Sequence, residues 1–199
     1  RGLSEGLRDG LVTDEQERMR YYGIIVDEVR RLSRLVNDLL ELSGLQSNPA
    51  AFEMERVQPT EVMLELFELN KQSFSENRQA LLLNIPQEDL PQIITNEDRL
   101  SEVLTIFLDN ARKYTPAGGQ ITLGAHVVMT DGLETGIRYF VRDNGIGIDE
   151  EAQKHIFDRF HQADKSHASK GSGLGLSIAH EITKALDEKL WVESTYGEG

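Results

Sequence analysis

The chain of 199 residues contains no cysteine, which excludes disulfides, thiolate metal sites and a cysteine nucleophile together. No apolar run approaches the roughly 20 residues that a membrane-spanning helix requires. The opening residues also lack the order of a signal peptide. Basic residues are scarce: 21 against 34 acidic ones leave a net charge of −13. Such a surface repels polyanions, so a broad nucleic-acid interface is disfavoured and no nucleic-acid partner is expected. Any site for a phosphorylated ligand must be built locally from a few cations and backbone amides. Helix breakers are missing from Asp14 to Ser43, where no proline occurs and Gly23 is the sole glycine. What is present in quantity is apolar side chain, at 39%, enough for a buried core.

In that breaker-free stretch Ile25, Val29, Leu32, Val36 and Leu39 recur at alternating steps of four and three, one continuous helical seam. Leu35, Leu40 and Leu42 widen it toward a second face. Thr13 with Gln16 forms a capping-box pattern that starts the helix at Asp14. A helix apolar on two faces must bury both. The neighbours expected are a short preceding helix, from Arg1 to about Gly10, and the same pair from a second chain. A single amphipathic helix packed on the following domain is the alternative. Ser47-Asn48-Pro49-Ala50 reads as a hinge. Beyond it strands are predicted at Phe52–Val57, Ala80–Ile85, Gln92–Thr95, Ile121–Met129, Gly136–Val141 and Leu190–Ser194. Helices are predicted at Thr60–Phe74, Glu97–Tyr114, Glu150–Phe157 and Gly173–Leu186. That mixture implies an α+β protein, a two-layer α/β sandwich preceded by a helical hairpin. The hairpin takes residues 1–47, a hinge and first strand entry 48–56, and the sandwich 57–199.

Four clusters carry chemistry. Asn110 and Lys113 lie three apart near the end of a helix, so an amide oxygen and an ammonium share one face. Such a pair can hold a hydrated Mg²⁺ and a phosphate oxygen, although plain solvated surface has the same pattern. Asp143-Asn144-Gly145-Ile146-Gly147-Ile148 follows a strand. There a carboxylate can accept from an exocyclic amine, and the glycines permit a tight turn and a close ligand. Gly171-Ser172-Gly173-Leu174-Gly175-Leu176 leads into a helix whose free amides suit phosphate. No strand precedes it and no Gly-Lys-Ser/Thr follows, which argues against a dinucleotide turn and a Walker loop. Between these lies a polar stretch with Phe157, Arg159, Phe160, Lys165 and Lys170, a cationic flap in an acidic chain or a simple surface loop.

Taken in order, Asn110–Tyr114, Asp143-x-Gly-x-Gly, Phe157-Asp158-Arg159-Phe160 and Gly171-x-Gly-x-Gly resemble the N, first-glycine, F and second-glycine boxes of bacterial sensor histidine kinases. Glu193 to Gly199 is similar to the start of the third glycine box, and residues 1–47 resemble the later part of the dimerisation and phosphotransfer hairpin. The resemblance implies the Bergerat ATP-binding fold, a hairpin pairing into a four-helix bundle in a homodimer, and ATP with Mg²⁺ as ligands. It implies phosphoryl transfer to a histidine for relay to the receiver domain of a response regulator. By the same resemblance Asn110 binds Mg²⁺, Lys113 meets phosphate, Tyr114 lies along adenine or ribose, and Asp143 reads the adenine amine. Gly145 and Gly147 shape the base pocket, Ile148 and Leu176 are apolar walls, Leu174 is counted among the nucleotide-binding residues, and Arg159 and Lys165 are lid cations. Gly171, Gly173 and Gly175 carry amides at the triphosphate. The chain is expected to be the cytoplasmic portion of a parent anchored in the inner or plasma membrane.

Two departures stand out. The family's His-Glu-x-x-x-Pro phosphoacceptor motif is missing, so no catalytic residue is assigned within the chain. The acceptor is expected upstream of Arg1, and this chain is expected not to autophosphorylate. His180-Glu181 sits in the wrong helix to replace it. Ile106 stands one turn before Asn110, where the family usually has a polar residue. A glutamate there would suit the topoisomerase, mismatch-repair and heat-shock ATPases of the same fold, which Ile106 excludes. It leaves open an ATP-binding dimerisation and regulator-docking module with little kinase activity.

Overall fold

A computed structural model describes residues 14–47, 52–161 and 172–197. The expected short first helix, the hinge at 48–50, and Lys165, Lys170 and Gly171 lie outside the described residues. The breaker-free stretch is one helix, α1 (Glu15–Ser47), about 50 Å long at 1.5 Å per residue. Its cap is Asp14, whose carboxylate accepts from Glu17 N at 3.1 Å; the helix therefore starts one residue later than the sequence suggests.

The sandwich alternates strands and helices: β1 (Glu55–Val57), α2 (Pro59–Glu76), β2 (Ala80–Asn84), β3 (Ile93–Thr95) and α3 (Glu97–Tyr114), then β4 (Gln120–Thr130), β5 (Leu133–Asp143), α4 (Glu150–Gln153) and α5 (Gly175–Ala185). β1 pairs antiparallel with β3, while β4 is central to a second sheet, parallel to β2 and antiparallel to β5. Asp131 and Gly132 close the β4–β5 hairpin, both at positive φ (53° and 80°), as a two-residue turn between right-twisted strands demands. α3 has a signal at each end: the Asn96 side chain accepts from Arg99 N, acids fill the first turn, and Arg112 and Lys113 fill the last.

The inward residues of β4, Ile121, Leu123 and Ala125, bury against Met63, Leu66 and Phe74 of α2 and Leu100, Leu104 and Leu108 of α3. This is the helix layer on one sheet face. A second cluster joins Leu42 and Leu45 of α1 to Val103 of α3 and to Leu174, Ile178, Ala179 and Ile182 at α5. Thus the C-terminal end of α1 is docked on the sandwich. Its seam is not: Val29, Leu32, Val36 and Leu39 are about half exposed.

Two predicted elements need correction. Leu190–Ser194 is in no strand, because its polar groups turn to the glycine loop: Ser194 Oγ accepts from Ile148 N at 2.9 Å and Ser194 O from Gln153 Nε2 at 2.9 Å. The helix expected over Glu150–Phe157 stops at Gln153. Three-residue turns follow, with His155 N donating to Ala152 O and Asp158 N to His155 O.

Candidate nucleotide-binding site

The last turns of α3 adjoin both the loop after β5, where Ile146 N donates to Tyr114 O at 3.3 Å, and the start of α5, where a Cβ on Gly175 would lie 3.4 Å from Ile106 Cγ2, and an open cleft runs along these elements. Asn110, Lys113, Tyr114, Asp143, Gly147, Ile148, Gly173, Gly175 and Leu176 all line it. α3 contributes its last turn. Asn110 has a side chain with no hydrogen bond among the described residues, so its carboxamide is available to a ligand. Lys113 Nζ rests on its neighbour, 2.7 Å from Tyr114 Oη and 4.4 Å from the ring centroid, a position an anion could draw it from. Arg112 is already paired with Asp109 at 2.9 Å.

Asp143 ends β5. One carboxylate oxygen accepts from Gly145 N at 2.9 Å, which orients the group and leaves the other oxygen for a donor on a ligand. The glycines of this loop answer first to the protein. A Cβ on Gly145 would stand 2.6 Å from Tyr114 O, and one on Gly147, at φ +68°, would stand 2.2 Å from Thr195 O. Gly145 is buried beneath the Tyr114 carbonyl and does not line the cleft. The close approach expected of a flat ligand is made instead by backbone.

At the second glycine cluster Gly173 takes φ +72°, where a Cβ would meet Phe160 and His161 backbone at about 3.0 Å, so α5 begins two residues later than predicted. No acid occupies the first turn of α5, whose first residues Gly175 and Leu176 border the cleft. Leu174, expected among the nucleotide-binding residues, turns its side chain into the α1–α3–α5 cluster, where it is fully buried, and its amide donates to Ser172 Oγ. Arg159 faces Glu181 of α5 at 3.8 Å, beside a Phe157–His180 stack. In the described arrangement these contacts tie the F-box segment to α5, and His180 with it. Lys165 and Gly171 lie outside the described residues.

Ile106 now has a local reason. It packs on the α1–α3–α5 cluster, and its Cγ2 would lie 3.4 Å from a Cβ at Gly175. Nearby, Arg99 Nη1 bridges two carboxylates, Glu41 of α1 at 2.6 Å and Glu102 of α3 at 2.5 Å, with the Phe52 ring 5.1 Å beneath the guanidinium. Burial, together with the adjoining Glu41 carboxylate, pushes Glu102 up to about 7 despite Arg99. Sequence reasoning missed Gln153, Ser194, Arg99 and Glu41. The first two hold the glycine loop, and no residue pattern advertises them.

An α/β sandwich with these boxes around one cleft is the architecture of an ATP-binding domain of the kind found in sensor histidine kinases. Residues 95–199 match the family of histidine kinase-, DNA gyrase B- and HSP90-like ATPases, and the chain belongs to it. It is 33% identical over 204 residues to the sensor histidine kinase WalK of Bacillus subtilis, covering all of this chain and 32% of that protein. It is 36% identical over 194 residues to drug sensory protein A of Synechocystis, covering 93% of this chain and 28% of that one. The chain thus spans about a third of the length of these relatives. Among solved structures, full-length ShkA in complex with AMPPNP superposes with a TM-score of 0.76 at 27% identity, over 92% of this chain and 37% of that one.

Proposed function

We propose that this chain supplies the phosphoryl-donor half of a protein-histidine kinase, binding ATP and presenting its γ-phosphate to a histidine of the dimerisation hairpin. The observation that carries this reading is that the last turns of α3, which bear Ile106, Asn110, Lys113 and Tyr114, lie against both the loop that follows Asp143 and the start of α5. Asp143 accepts from the adenine amine through its free oxygen, and Tyr114 lies along the base or ribose. Lys113 leaves the Tyr114 ring for a phosphate oxygen, joined by α5 amides. The Asn110 carboxamide suits Mg²⁺, which keeps most of its waters and takes few protein ligands; when bound, the ion neutralises phosphate charge. The protein's part is positioning and charge neutralisation.

Within α1 there is no histidine among the described residues. Of the others described, His126 is on strand β4 with its ring 6.0 Å from that of Phe140, His155 contacts Asp158, His161 is partly buried, and His180 stacks on Phe157; none lies in a His-Glu-x-x-x-Pro motif. We therefore expect no autophosphorylation by this chain. The half-exposed seam of α1 suits a homodimer through the hairpin, and relay to a response-regulator receiver follows from the kinase reading. No described helix is long and apolar enough to cross a membrane, which suits the cytoplasmic portion of an anchored parent.

The test is transfer of γ-labelled phosphate in the full-length parent, with Asn110→Ala beside it. Acid-labile phosphohistidine that Asn110→Ala removes supports the reading. ATP binding without transfer favours the second reading, a docking module with little kinase activity, toward which Ile106 points. Ile106→Asn in the parent then decides: unchanged transfer means that position is structural.

A further inference from the structure

The glycine loop 143–148 is tied down at two ends. On the near side Asn144 N donates to Gln120 O at 3.2 Å and Ile146 N to Tyr114 O at 3.3 Å. The far side depends on residues from elsewhere. Ile148 N donates to Ser194 Oγ at 2.9 Å, and Gln153 Nε2 donates both to Ile148 O at 2.8 Å and to Ser194 O at 2.9 Å. One carboxamide thus joins the loop to the C-terminal segment, whose Gly197 N also donates to Ile146 O at 2.9 Å. α4, only four residues long, directs Gln153 back at residue 148. Its N-cap is Asp149, which accepts from Glu151 N and Ala152 N, and Ala152 is buried beneath it.

We infer that Gln153 and Ser194 are positioning residues that set which purine the cleft accepts. The inference rests on the nucleotide reading of the cleft. A carboxylate can only accept hydrogen bonds, so the free oxygen of Asp143 favours a base edge bearing an amine and repels one bearing a carbonyl. That discrimination requires the base to be held in one register against the apolar wall. Ile148 supplies part of the wall, and its peptide is held on both sides by Ser194 and Gln153. A loop free to slide would let a carbonyl-bearing purine avoid the carboxylate, and selectivity would fall before binding was lost.

The test uses this chain and non-hydrolysable imido analogues of ATP and GTP, titrated into the parent sequence and into Gln153→Ala, Gln153→Glu, Ser194→Ala and Ser194→Thr. Gln153→Glu keeps the shape but removes the donor, and Ser194→Thr keeps the hydroxyl. The ATP-to-GTP affinity ratio falls about tenfold in the first three and is retained in Ser194→Thr. Equal losses for both analogues, or an unchanged ratio, would mean that the two side chains only stabilise the fold and would overturn the inference alone. Failure of the parent sequence to bind the ATP analogue would overturn the nucleotide reading and the inference with it.

Discussion

A glycine whose missing side chain is replaced by another segment's backbone tolerates no substitution. Gly147 is such a position, with positive φ and the Thr195 carbonyl where a Cβ would be. Gly147→Ala should cost about 2 kcal/mol, a fall of roughly 5 °C in melting temperature. Gly136→Ala serves as its control, because nothing lies within 4 Å of an added Cβ there; it should stay within about 0.5 kcal/mol of the parent. Equal melting of the two variants would show that the 147–195 contact is not tight. The residue scale also shows what a sequence conceals. Asn110, Lys113 and Asp143 are singled out by the order of their boxes, since the three-residue spacing of Asn110 and Lys113 alone matches ordinary helix surface. Leu174 was misread because a leucine between two glycines looks like part of the loop, whereas its side chain belongs to the core.

At the scale of elements, the junction of α1 with α3 is the feature with a pH dependence. Glu102 rises from the ordinary glutamate value near 4.5 to about 7, chiefly through burial. A carboxyl whose folded value is raised binds its proton more tightly folded than unfolded. Its contribution to stability is therefore greatest below about pH 4.5, falls between there and pH 7, and is flat above. The urea midpoint of the parent should drop more between pH 5 and pH 8 than that of Glu102→Gln, which cannot titrate. Parallel profiles would contradict the assignment. α3 was readable to its exact bounds because Asn96 caps one end and Thr115-Pro116 stops the other. Leu190–Ser194 was not, since half-buried alternation announces extended chain without saying where its hydrogen bonds go. Gln153 could not be found at all, because a glutamine on a four-residue helix makes no pattern.

For the whole molecule, burial is uneven. Leu42 and Leu45 are covered by the sandwich, while the seam residues before them stay about half exposed. A second chain covering that seam is the arrangement proposed above. Leu32→Glu with Val36→Glu should shift the parent sequence from dimer to monomer in sedimentation and leave nucleotide affinity unchanged. A monomeric parent, or an unaffected dimer, would contradict that use of the seam. The charge of −13 makes binding of a triphosphate a stringent test of the local design, since the molecule as a whole repels it. The most direct measurement is calorimetric titration of this chain with ADP or a non-hydrolysable ATP analogue, with and without Mg²⁺, beside Asp143→Ala. Saturable binding by the unsubstituted chain is expected, strengthened by Mg²⁺ for the triphosphate and weakened about tenfold or more by Asp143→Ala. No binding by the parent, or equal binding by both proteins, would contradict it.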